Sequence, residues 1–187
     1  MDNPTRKDIR LDGYDYSRSG AYFITICTNK KMHIFWENED KYKPLSTNKQ
    51  DVGTAIGRPQ IANKIHLSEY GKYVKEALKN INKCHPMVFV DRFVIMPNHI
   101  HAIIRIDAPL EYETGGRPMA VPTISQVINQ FKGYVSKKSG FHVWQGRFYD
   151  RIIRNGQEYR AYWQYIEDNP QNWENDEYFS ENNSKER

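Results

Sequence analysis

An α+β domain built on an antiparallel sheet, with its helices mainly on one face, is the fold class that two features of the sequence predict. Short apolar runs of period two alternate with longer runs of period three to four, in the order strand, helix, strand, strand, helix, strand, helix. Two of the short runs, at residues 87–95 and 99–106, are separated only by the turn-like Met96-Pro97-Asn98, so they pair antiparallel. A chain of 187 residues suits one domain with room for a sizeable core.

The first strand is GAYFITICTN, residues 20–29, which alternates and is rich in β-branched and aromatic types. Ser68 is placed to cap the first helix, whose apolar Tyr70, Val74, Ala77, Leu78 and Ile81 recur at spacings of three or four before Pro86. A second helix starts near Thr123, presents Ile124, Val127, Ile128, Phe131 and Val135 on one side, and meets Gly140 as its stop. The fourth strand covers residues 147–154. The last helix has capping-box spacing at Asn155 and Glu158, and Pro170 is expected to end it.

Two segments rich in Gly, Pro, Asn and Thr, residues 37–66 and 107–122, read as insertions into a single domain of residues 1–173. Each contains Gly-Arg-Pro, at Gly57-Arg58-Pro59 and Gly116-Arg117-Pro118, a tripeptide similar to part of an AT-hook. Ordinary loops are the plainer reading. Residues 174–187 carry five acidic and two basic residues and are expected to form a mobile tail.

Composition narrows the function classes. The formal charge is +4, but it is unevenly spread: residues 117–154 hold seven basic side chains (Arg117, Lys132, Lys137, Lys138, Arg147, Arg151, Arg154) against Asp150 alone. That block suits a polyanionic backbone such as nucleic acid, although a solvated helix face would look similar. Cys27 and Cys84 are too few for a disulfide framework and lack metal-ligand spacing, which makes a reduced, cytoplasmic setting the expectation. No apolar run reaches the ~18 residues of a membrane span, so no membrane partner is expected.

His99 and His101 alternate within the apolar stretch FVIMPNHIHAIIRI. Strand geometry points both to one face, with Cβ atoms about 7 Å apart, while Ile100 points into the core. The pair can approach one metal ion or can be two half-exposed histidines on a wet sheet face. A structural zinc site needs four Cys or His ligands, and the other histidines are scattered. Two histidines plus an oxygen ligand, with open positions, suit Mg²⁺ or Mn²⁺ and its phosphate partners.

The last helix offers that oxygen. At roughly 100° per residue, Tyr159, Tyr162, Trp163 and Ile166 cluster on one face and read as core anchors, whereas Tyr165 lies about 110° away and Asn169 about 40° from it. A phenol and a carboxamide thus stand side by side at the edge of a buried face. A tyrosine can act as nucleophile if activated, and a boundary tyrosine packing its ring is the competing reading.

MPNHIHAI resembles the His-hydrophobic-His signature of the HUH single-strand endonucleases, and WQGRFYDRIIRN followed by YRAYWQYIEDNP resembles the REP-associated tyrosine transposases among the single-tyrosine transposases. The similarity spans residues 22–173, apart from the two insertions. It implies a four- to five-stranded antiparallel sheet of ferredoxin- or RRM-like form. It further implies that His99, His101 and Asn169 bind Mg²⁺ or Mn²⁺, and that Tyr165 attacks a scissile phosphate to give a 5′-phosphotyrosyl intermediate. Tyr162 is the rival nucleophile, with Tyr159 behind it. The implied partner is single-stranded DNA carrying hairpins such as repetitive extragenic palindromes. A homodimer that exchanges tyrosine helices is compatible with the family, as is association with the nucleoid in a bacterium. The other reading is a hairpin-binding regulatory module that no longer cuts. A replication initiator or relaxase shares the chemistry but belongs with further domains.

Overall fold

The computed structural model describes residues 19–37, 65–108 and 121–179. Four strands form one antiparallel sheet: β1 (Gly20–Cys27), β2 (Val88–Ile95), β3 (His99–Ile106) and β4 (Tyr149–Ile153), in the order β2-β3-β1-β4. Three helices accompany them, α1 (Glu69–Cys84), α2 (Ile124–Ser139) and α3 (Gly156–Asp168), the last continuing into a 3-10 helix over Asn169–Asn175. The fold is therefore α+β with the lower of the two expected strand counts. Both Gly-Arg-Pro tripeptides, Arg117 included, lie outside the described residues.

The caps explain where the helices begin. Ser68 accepts from the Gly71 amide, and Gly71 itself has no alternative, because a Cβ there would collide with the Phe35 carbonyl. Thr123 and Gln126 complete a reciprocal capping box, and Gly140 closes α2 in the left-handed conformation at φ 78°. At α3 only half of the expected box forms. Asn155 accepts from the amides of Gln157 and Glu158, but the Glu158 carboxylate reaches the Arg154 amide, one residue earlier than a box requires. As expected, the α-helix stops at Asp168, just ahead of Pro170. The proline falls in the first turn of the 3-10 segment, where its missing N–H costs nothing.

The sheet has two unlike faces. Tyr22, Ile24 and Ile26 of β1 and Ile100, Ala102, Ile104 and Ile106 of β3 are almost fully buried on one of them, beneath α1 and α2, which pack on each other. On the other, Phe23 and Thr25 stand across from Ile103 and His101 in the β1–β3 register. Helix α3 crosses that second face, with the Tyr162 ring stacked on Phe23 at 4.3 Å. Of the expected anchors, Ile166 is fully buried, whereas Tyr159, Tyr162 and Trp163 are half-buried and dock by their rings and polar tips. No helix among the described residues is long and apolar enough to cross a membrane.

Candidate metal and nucleophile site

Both histidines of β3 are buried on the α3 face. Their outer partners fix how the rings face. Asn98 donates through Nδ2 to the Tyr178 carbonyl at 2.9 Å, which turns its Oδ1 toward His99 Nδ1 at 2.8 Å. His99 therefore carries its proton on Nδ1 and presents a bare Nε2. His101 Nδ1 lies 2.8 Å from Thr25 Oγ1, directly across the strand pair. The two Nε2 atoms meet at 3.0 Å. Burial pushes the His101 imidazole down to about 3, and burial together with His101, Lys31 and His33 holds His99 well below the ordinary range. At neutral pH the pair is uncharged, with ring nitrogens available to a cation.

The donor set suits a divalent ion. Cis ligands about 2.1 Å from an octahedral ion stand ~3.0 Å apart, matching the imidazole pair. Asp176 adds a carboxylate whose Oδ2 is 4.0 Å from His99 Nε2, and the three ligand atoms lie within 4.8 Å of one another. Asn169 is 3% exposed, donates through Nδ2 to Asp176 Oδ2 at 3.0 Å, and leaves its buried Oδ1 without a partner. An orphaned buried acceptor in the same cluster as two facing imidazole nitrogens is a donor set that a divalent cation would satisfy. Two oxygen donors are thus in place where the sequence reading found one.

Asp176 escaped that reading because it was assigned to the acidic tail. Among the described residues, 176–178 instead lie over the histidines. The Tyr178 ring is 4.8 Å from His99 and 5.8 Å from His101, and its hydroxyl meets Thr25 and Glu177. The only trace in the sequence is an aromatic pair, Tyr178-Phe179, inside an otherwise polar segment.

Tyr165 stands at the same point. Its Oη is 3.4 Å from His101 Nε2, its ring is edge-on to His101 at 5.1 Å, and it is 39% exposed. Burial and the charges of Asp176 and Glu177 push its hydroxyl up to about 12, opposed by a hydrogen bond from Asn169. The other two tyrosines of α3 are engaged elsewhere: Tyr162 on Phe23, and Tyr159 by donating to Asp91 Oδ2 at 2.9 Å.

What holds α3 in this position is an irregularity in β2. The register with β3 slips between Val90 and Arg92, leaving Asp91 as an extra residue. In a regular strand Asp91 and Arg92 would point to opposite faces; at a bulge both can reach α3. Asp91 takes the Tyr159 hydroxyl and the Arg105 guanidinium, while Arg92 pairs with Glu167 at 2.6 Å and lies 5.1 Å over the Trp163 ring. Both ends of α3 are thereby pinned to the sheet of their own chain.

The basic residues are divided. Lys132 donates to the carbonyls of Gln145 and Gly146, and Lys138 pairs with Glu76 of α1 at 2.8 Å. These lysines and the exposed Lys137 sit on α2, across the sheet from the histidines. Arg151 is on the histidine side, exposed, with its guanidinium 6.0 Å over the Tyr162 ring. Arg147 and Arg154 are exposed just beyond the two ends of β4. Between α3, β4 and residues 175–178 lies a cavity of about 930 Å³, onto which Tyr165, Asn169 and Asp176 open.

Known proteins can now be set beside this geometry. No protein-family model matches the chain. An uncharacterized protein of Haemophilus influenzae is 33% identical over 189 residues, covering 93% of this chain and 93% of its own. A REP-associated tyrosine transposase, solved bound to a REP hairpin, superposes with a TM-score of 0.51 at 20% identity, covering 86% of this chain and 73% of that one. The chain therefore belongs to one family with the Haemophilus protein and has the fold of a REP-associated tyrosine transposase.

Proposed function

We propose that this protein is a metal-dependent single-stranded DNA endonuclease and strand transferase that acts on hairpin-bearing DNA. In this reading Tyr165 is the nucleophile, and His99, His101, Asn169 and Asp176 hold Mg²⁺ or Mn²⁺. The observation that carries it is one convergence: the Tyr165 hydroxyl lies 3.4 Å from the His101 nitrogen that itself faces His99 at 3.0 Å. A bound divalent ion would supply charge withdrawal from a phosphodiester and would favour the phenolate.

The chain's own residues do the rest. Tyr165 Oη attacks phosphorus, the bond from phosphorus to O3′ breaks, and the phosphate becomes an ester of the tyrosine. The leaving O3′ ends as a hydroxyl and the phenol proton passes to solvent, which reaches the exposed Tyr165. One phosphoester replaces another, so no nucleotide is consumed and the step can run backwards to rejoin strands. Phe23 and Tyr162 support the ring side of the nucleophile, and Asn169 donates to its oxygen. Arg147, Arg151 and Arg154 line the edge along which a phosphate backbone would run, with Lys132, Lys137, Lys138 and Arg117 as more distant contacts. Because α3 docks on its own sheet, one chain holds the whole constellation, although a homodimer remains compatible with it.

A second reading has one observation in its favour. Residues 176–178 cover the histidines, as expected of a hairpin-binding protein that no longer cuts. Incubation of the protein with labelled hairpin oligonucleotides and Mn²⁺, resolved on a denaturing gel, separates the two. Cleavage predicts a covalent protein–DNA adduct that Tyr165→Phe reduces at least ~10³-fold while binding persists. An adduct that survives this substitution moves the nucleophile to Tyr162 or Tyr178. Salt-sensitive binding without any adduct across a varied set of hairpins selects the binding module.

A further inference from the structure

The cavity beside Tyr165 has walls that the cleavage chemistry leaves unexplained. Its aromatic side is formed by Phe23, Tyr149 and Tyr162, and its polar side by Asp168, Asn172 and Glu177; among the described residues no lysine, arginine or histidine lines it. Its charged lining is carboxylate alone, from Asp168, Asp176 and Glu177. A flat ring carrying amino hydrogens would meet stacking surfaces and acceptors. Asp168 spends Oδ2 on the Gln164 amide at 2.8 Å, and its other oxygen has no partner among the described residues. Asn172 is held by its Nδ2 donating to the Asp168 carbonyl at 3.1 Å, which leaves its Oδ1 as a second open acceptor. Asn169 lines the same space.

From this arrangement we infer that the cavity is a nucleobase pocket. It holds one unpaired base next to the scissile phosphate, stacked on the Tyr149–Tyr162 side, and selects bases with an exocyclic amino group through Asp168 and Asn172. The inference rests on the cleavage reading for what lies next door, but not for the binding itself. Its volume of about 930 Å³ admits a pyrimidine or a purine, within the ~300–1,000 Å³ typical of small-molecule sites. Cytosine, adenine and guanine each offer amino hydrogens to a carboxylate or amide oxygen. Thymine offers an oxygen on either side of its single N–H, so two acceptors would face two acceptors. Stacking on aromatic side chains is indifferent to base identity, so the discrimination falls to Asp168 and Asn172. Arg151 has its guanidinium 6.0 Å over the Tyr162 ring, a position from which it can take the phosphate of the same nucleotide.

The test uses the full chain in EDTA, so that binding is read without cleavage. Fluorescence anisotropy compares an eleven-residue oligothymidylate with the same strand carrying one central dC, dA, dG or abasic site. The expected result is about tenfold or tighter binding for the amino-bearing substitutions, with the abasic strand no better than oligothymidylate. Asp168→Asn and Asn172→Ala should each flatten that preference. Asn172 is exposed, so its variant keeps the test valid if Asp168→Asn loses its fold. Equal affinity for all strands, no measurable binding of any, or a preference that survives both variants would overturn the pocket. A base preference without any covalent adduct under Mn²⁺ would sink the cleavage reading and leave the pocket standing. Adducts forming equally on all strands would do the reverse.

Discussion

The two faces of the sheet are made from the same strands yet obey different rules. On the α1/α2 face the alternate positions Tyr22, Ile24 and Ile26 of β1 and Ile100, Ala102, Ile104 and Ile106 of β3 are buried and almost wholly apolar, the Tyr22 hydroxyl being the one side-chain polar group among them. On the α3 face the alternate positions hold Thr25, His99, His101 and Arg105, each needing a named partner. Burial is equally complete around Ile104 and His101. The difference is that one face stabilises by excluding water, while the other must match buried donors with acceptors before it stops costing free energy.

Substitutions can sharpen that contrast. Ile104→Ala on the apolar face should cost about 2–5 kcal/mol, because the cavity it leaves cannot refill; denaturant unfolding measures it. A loss below 1 kcal/mol would mean that the helices do not press on this strand.

On the polar face the corresponding lever is pH. The folded values of both histidines are depressed, so in acid the unfolded chain binds protons first. Stability is complete above the unfolded value of 6.5 and is lost as pH falls toward about 3. Asp176, raised by burial, opposes part of this, so the clean readout is the difference between wild type and His101→Gln across that window. The variant should show the shallower decline. The same experiment with Mn²⁺ should steepen the wild-type curve, since protons and cation compete for the ring nitrogens.

A smaller effect is expected at the hinge between the faces. Asp91→Asn removes the charge that holds Arg105 and the Tyr159 hydroxyl, at about 1–3 kcal/mol. Adduct yield should fall with it if α3 loosens, and unchanged yield would show that Arg92 suffices. The smallest change is Thr123→Ala, which removes the α2 cap for about 0.5–2 kcal/mol and should leave DNA chemistry untouched.

The apolar face was legible in the sequence because its signals are local. The bounds of β3, the Thr123 cap and the Gly140 stop depend only on near neighbours, and period-two alternation alone puts His99 and His101 side by side. Helical geometry likewise predicts that Tyr165 and Asn169 share a flank. The contacts that escaped are those made across long stretches of chain. Asp176 reaches within 4.0 Å of His99 across a sequence separation of 77 (176 minus 99), and a polar tail carries no periodicity to announce it. Lys138 reads as free for a polyanion until Glu76 of another helix turns up 2.8 Å away. The slip at Asp91 adds no residue type that a strand would forbid, so nothing in VFVDRFVI marks it except two adjacent charges in an apolar run.

That doublet has a practical consequence for anyone tracing related genes. A pairwise alignment that closes the one-residue offset in β2 would rotate half the strand and put an acid where isoleucine packs. The His-x-His signature would still match perfectly, and the helix bearing the tyrosine would have lost its mooring. An acidic-basic couplet about eight positions ahead of the first imidazole is therefore a second checkpoint, able to separate chains that can seat the tyrosine from those that merely carry one.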